Sequence, residues 1–80
     1  MKLPRDISGK ELIKSLESLG YSVTRQKGSH VYLVAKHQDE HHIAIPLHNP
    51  LKLGTLMGIL NDVAAHLKIP RNELTQRLFG

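Results

Sequence analysis

The period of the apolar residues changes twice along this chain, and that change limits the fold more than any other feature. Leu12, Ile13, Leu16 and Leu19 recur on one helical face. From Tyr21 to Pro46 apolar and polar residues alternate instead. The helical spacing then returns in Leu53, Leu56, Met57, Leu60, Val63, Ala64 and Leu67. A strand pattern cannot sit as a helix without scattering its apolar residues over all faces, so the middle third must form a sheet and the flanks must form helices.

The boundaries follow from local chemistry. Ser8 and Glu11 fit a capping box, with Ile7 placed to staple onto Leu12, and Gly20 is placed to end the first helix before Tyr21. Strands are expected at about 21 to 26, 30 to 36 and 41 to 46, joined by Lys27-Gly28-Ser29 and by a polar turn around Gln38 to Glu40. For Val23 to share a face with Leu33 the hairpin loop must be odd, which a three-residue Lys27-Gly28-Ser29 loop satisfies. Tyr21, Val23, Val31, Leu33, Ile43 and Ile45 then face the core. Ser22, Thr24, Gln26, His30, Tyr32, His42 and Ala44 share a polar, open face. The second long helix can start at Asn49-Pro50 or at Gly54-Thr55. Ile69-Pro70 interrupts it, and Leu74, Leu78 and Phe79 indicate a short third helix from Pro70.

The resulting order, α-β-β-β-α with a short extra C-terminal helix, is a two-layer α+β plan: an antiparallel three-stranded sheet with helices on one face. That order corresponds to a double-stranded-RNA-binding-domain-like fold. With 80 residues and no internal repeat or linker, residues 1 to 80 form one domain. The absence of cysteine excludes disulfides, thiolate metal sites and a Cys nucleophile. Eleven Lys plus Arg against seven Asp plus Glu give a net charge of +4. That excess suits a polyanionic partner, although solubility alone accounts for it equally well. No apolar run approaches the ~18 residues of a membrane span and no apolar region follows Lys2 and Arg5, so a cytoplasmic protein without membrane association is expected.

Six histidines are the compositional oddity. His37, Asp39, Glu40, His41 and His42 cluster in one segment, but neighbours His41 and His42 point to opposite faces if they begin a strand. The segment therefore reads as a solvated turn rather than a metal site. His66 reads as a cation near a helix C-terminus. His30 stands at the start of the middle strand on the open face, with Arg25, Lys27 and Tyr32 close by in sequence or register. Imidazole, with an ordinary pKa of about 6.5, exchanges protons near neutral pH, so such a residue could act on RNA; an ordinary surface histidine is the plainer reading.

Ser8-Gly9-Lys10-Glu11-Leu12, Arg25-Gln26-Lys27-Gly28-Ser29-His30, Ile45-Pro46-Leu47-His48 and Leu53-Gly54-Thr55-Leu56, in that order and spacing, resemble the HicA-type (YcfA-like) mRNA interferase toxins. The resemblance runs from about Ile7 to Leu60. It implies a double-stranded-RNA-binding-like fold, endoribonuclease activity on mRNA, and neutralisation by a HicB-type antitoxin protein. The family's catalytic histidine falls on Gly28-Ser29-His30, which makes His30 the catalytic residue here. The turn from Gln38 to His42 and the segment from Val63 to Gly80 depart from the pattern, so the C-terminal part carries no inference about antitoxin contact.

RNA supplies its own nucleophile, the 2′-hydroxyl, so no metal or small-molecule cofactor is required. His30 would act as general base or acid, Arg25 and Lys27 would offset phosphate charge, Gly28 and Ser29 could hydrogen-bond a phosphate oxygen, and Tyr32 could stack a base. His48 is the candidate for a second proton-transfer role. The alternative is a non-catalytic RNA-binding or partner-binding module of the same fold.

Overall fold

The computed structural model describes residues 6–36 and 39–80. Three helices and three strands follow one another as α1 (Gly9–Glu17), β1 (Tyr21–Lys27), β2 (His30–Ala35), β3 (His41–Pro46), α2 (Leu53–Leu67) and α3 (Arg71–Phe79). The strands form one antiparallel sheet in the order β1-β2-β3. This is the α+β architecture expected from the change of period, with helices on one face of the sheet.

The capping box forms: the Glu11 N–H donates to Ser8 Oγ at 3.1 Å and the Ser8 N–H donates to Glu11 Oε1 at 3.0 Å. Ile7 and Leu12 are both buried in the common core, as a staple requires. Gly20, at φ 98°, turns the chain into β1. Tyr21, Val31, Leu33, Ala35, Ile43 and Ile45 from the inner sheet face pack with Leu12, Leu16, Leu56, Leu60, Val63 and Leu74 from the helices. α2 starts at Leu53, between the two starts the sequence allowed, with Lys52 at the cap and no side chain capping it. Leu53 itself is 63% exposed and stays outside the core, while Ile59 takes an inward position instead. α2 ends in a Schellman arrangement, with the Ile69 N–H donating to the Ala64 carbonyl and the Lys68 N–H to the Ala65 carbonyl; Lys68 holds the left-handed position at φ 58°.

The β1–β2 hairpin departs from the expected geometry. Lys27 pairs with His30, so the loop is the two-residue Gly28-Ser29 rather than a three-residue one. Gly28 has φ 59° and Ser29 does not, the pattern of a type II′ turn. The odd residue is supplied within β1 instead: the register shifts between Val23 and Arg25, leaving Thr24 as a bulge whose hydroxyl donates to the Tyr32 carbonyl at 3.2 Å. Val23 still lies opposite Leu33, but on the sheet edge it is 46% exposed and does not join the core. Beyond the bulge the faces exchange. Gln26 lies opposite inward-facing Val31, while Arg25 lies opposite Tyr32 and Lys27 opposite His30. The expected placing of Gln26 on the open face is thereby corrected, and Arg25 and Lys27 join that face.

Among the described residues no helix is long and apolar enough to cross a membrane.

Candidate nucleic-acid interface

The open face is built as cross-strand rows. At the hairpin end Lys27, His30 and Pro46 are mutual register partners; the next row is Arg25, Tyr32 and Ala44; the third is Ser22, Val34 and His42. Alternation puts these rows on one face, and the rows lie about 7 Å apart along the strands. The bulge is what brings Arg25 and Lys27 beside Tyr32 and His30. No sequence signal marked it, because Thr24 is an ordinary strand residue and glycine is absent from β1.

His30, Lys27, Ser29 and Gly28 are exposed. A Cβ on Gly28 would meet nothing within 4 Å, so its positive φ is the reason for glycine there. The Gly28 carbonyl accepts from Gln26 Nε2 at 3.1 Å, and the Ser29 carbonyl accepts from the Leu47 N–H at 2.7 Å. The turn preceding His30 is thus tied on both sides. The Arg25 guanidinium carbon lies 4.5 Å from the centroid of the Tyr32 ring, a cation–π contact. Among the described residues, neither Arg25 nor Lys27 takes part in an ion pair; the pairs there are His42 with Glu40 and Arg77 with Glu73. The hairpin end therefore presents uncompensated positive charge beside an exposed imidazole.

α1 supports this end from below. The Gly9 N–H donates to the His48 carbonyl at 2.9 Å, and the Leu51 N–H donates to the Ile7 carbonyl at 2.8 Å. A Cβ on Gly9 would collide with the Pro46 carbonyl oxygen, so the glycine of the Ser8-Gly9-Lys10-Glu11 segment is needed for this approach. His48 is exposed, just beyond the strand end that pairs with His30.

The remaining histidines go elsewhere. His37 lies outside the described residues. His41 and His42 diverge to opposite faces as alternation predicts, His42 pairing with Glu40 at 2.7 Å in solvent. His41, however, is not part of a solvated turn. Register places it across Ala35 from Tyr21, and over that small residue Tyr21 Oη and His41 Nδ1 approach to 2.7 Å. The His41 ring stacks on His66 with centroids 4.6 Å apart and planes inclined by 12°. His66, in the last turn of α2 as expected, is thus also a packing partner, and its Nε2 is buried with no hydrogen-bond partner among the described residues. Burial, and then the neighbouring His66, hold the His41 imidazole below the ordinary 6.5, against the opposing pull of Asp62. Burial, reinforced by Asp62, pushes the Tyr21 hydroxyl up to about 12. The signal for this cluster was positional: Tyr21 and His41 both begin outer strands on either side of the C-terminal end of β2. Among the described residues, no three His, Asp or Glu side chains converge as a metal site would require.

The sequence family described as the HicA toxin of bacterial toxin-antitoxin matches residues 9–64. No curated protein and no solved structure matches the chain. The matched span begins at the glycine that seats α1 on β3, includes all three strands, and ends in α2.

Proposed function

The chain belongs to the HicA toxin family of bacterial toxin-antitoxin systems, in which a toxin is paired with an antitoxin partner, and on that premise we propose that it is an endoribonuclease that cleaves mRNA with His30 as general acid or base and without a metal ion. The observation that carries the proposal is the bulge-set register, which puts Lys27 directly across from exposed His30 and Arg25 and Tyr32 in the next row. The 2′-hydroxyl of one nucleotide attacks the adjacent phosphorus, its proton passing to a base, and the P–O5′ bond breaks as the leaving oxygen takes a proton from an acid. The products are a 2′,3′-cyclic phosphate and a free 5′-hydroxyl. His30 supplies one of these proton transfers, a contribution of about 10²- to 10⁴-fold. Lys27 stabilises the charge that builds on the non-bridging oxygens, aided by Ser29 and the Gly28 turn. His48, at the same end of the sheet, is the residue available for the second transfer.

A HicB-type antitoxin is the proposed partner, and it would silence the toxin by covering the same cationic face. The purified protein is tested on a defined RNA in excess chelator, beside the same RNA carrying one 2′-deoxyribose at the cut. Cleavage of the first and not the second, with a cyclic phosphate end, is the expected result. Cutting of both strands, or cutting abolished by chelator, would overturn the mechanism. RNA bound without any cut would favour the non-catalytic RNA-binding module of the same fold.

A further inference from the structure

The proposed proton transfers and charge stabilisation use the row of Lys27 and His30, and none of those steps runs through the second row, Arg25, Tyr32 and Ala44. Tyr32 is half-buried in mid-strand, Arg25 lies over its ring at 4.5 Å, and Ala44 on the far side is exposed and offers only a methyl group. The cation–π contact holds the Arg25 guanidinium over the ring instead of leaving it free in solvent. A guanidinium held beside a ring adds a second planar group to it, and unpaired bases stack on aromatic rings and on guanidinium planes alike. The small Ala44 leaves the flank of the ring open where a larger side chain on β3 would fill it.

We infer that the Arg25–Tyr32 pair is a stacking platform for one unpaired nucleobase, located one row from His30. It follows that the substrate is single-stranded RNA and that the nucleotide adjacent to the scissile phosphate is held by its base. The strand order alone would lead one to expect duplex recognition. In a duplex, however, every base is already stacked on its neighbours, and a flat sheet face carrying an aromatic residue cannot reach it. The two rows are about 7 Å apart, a separation that one nucleotide of an extended strand can bridge. The phosphate then rests at Lys27 while the base rests at Tyr32. Stacking accepts any base, so the platform fixes the position of the cut more than its sequence. Only the link to the cut position rests on the nuclease reading; the platform itself is a binding site and is tested by affinity.

The probe is a short 2′-O-methyl RNA, which is not cut during the measurement, prepared as a single strand, as the matching duplex, and with one abasic residue moved along the strand. The single strand should bind at least about tenfold tighter than the duplex, and one abasic position should weaken binding by about fivefold or more while the others do not. Tyr32→Leu should erase that dependence and Tyr32→Trp should keep it. Arg25→Lys, which retains charge but not the plane, should also erase it. In the all-ribose strand the sensitive position should adjoin the cut. Equal affinity for duplex and single strand, a flat abasic scan, or Arg25→Lys behaving as wild type would overturn the platform. If the scan behaves as expected but the all-ribose strand is bound and never cut, the platform stands and the nuclease reading falls.

Discussion

The two ends of this small sheet each carry a histidine at the first residue of a strand, and the protein treats them in opposite ways. His30 opens β2 at the hairpin end, exposed, with Lys27 across from it and the backbone on either side tied by the Ser29–Leu47 and Gly9–His48 hydrogen bonds. His41 opens β3 at the far end, half-buried, bonded to Tyr21 and stacked on His66. One imidazole is left to solvent on a fixed scaffold, and the other is consumed in fastening β3 to β1 and α2. The same residue type, on the same secondary structure, takes its role from the face it occupies. His30 faces outward beside cations, whereas His41 faces the helices beside a buried phenol.

Glycine substitutions offer the largest expected contrast. Replacing Gly9 by Ala at the hairpin end should destabilise by about 1–3 kcal/mol, because the new methyl group meets the Pro46 carbonyl. Gly58, in α2, has nothing within 4 Å, so Gly58→Ala should stabilise by about 0.5–1 kcal/mol through helix propensity. Thermal melts of the two variants should move in opposite directions. A stabilised Gly9→Ala protein would mean that α1 does not seat on the strand end as described.

The far end should report through pH. The His41→Ala variant loses the hydrogen bond and the stack and should be about 1–2 kcal/mol less stable, whereas His42→Ala removes only an exposed pair and should change little. Because the folded-state pKa of His41 is depressed, the unfolded chain binds more protons once the pH drops below about 6.5, and stability falls as the pH decreases toward the folded value. The groups that face His41 are Tyr21 from β1, His42 in β3, and Asp62 and His66 from α2. His41→Phe keeps a ring in place and should flatten the acid side of the stability profile. An unchanged slope would assign it to another group.

At the hairpin end charge should matter in the opposite sense, for binding and not for folding. Lys27→Glu should weaken RNA binding by about tenfold at low salt, reduce the dependence on salt, and leave the melting temperature alone. A control reversal at Glu17, exposed on α1, should do neither. Binding of the antitoxin should weaken in parallel if it covers this face. The smallest effect belongs to the end of α2, where Lys68→Gly relieves a left-handed φ of 58° and should stabilise by about 0.5 kcal/mol.

Much of this organisation was legible in the sequence because it is encoded locally. The capping box, the three strands to within a residue, and the break at Ile69-Pro70 each rest on a few adjacent side chains. The hairpin loop was misread because parity admits two solutions, an odd loop or an even loop with a bulge, and Thr24 does not announce which. That misreading placed Arg25 off the face where it lies over Tyr32, so the electrostatics of the site were only half visible. His30 was legible as a candidate through Gly28-Ser29-His30. The roles of His41 and His66 were not, since their contact joins residues far apart in the chain through the packing of α2, which no short motif records. Gly9 was visible as part of the Ser8-Gly9-Lys10-Glu11-Leu12 segment that carries the family resemblance, but its reason, the close approach to Pro46, exists only in three dimensions.

The most direct measurement compares the two histidines in one experiment, recording RNA cleavage and the melting temperature for the wild type, His30→Ala and His41→Ala. The His30 variant should lose cleavage by about 10²-fold or more with its melting temperature unchanged, and the His41 variant should melt several degrees lower while still cutting RNA under conditions where it is folded. A His30→Ala protein that is folded and fully active, or a folded His41→Ala protein that has lost cleavage, would contradict the division of labour between the two ends of the sheet.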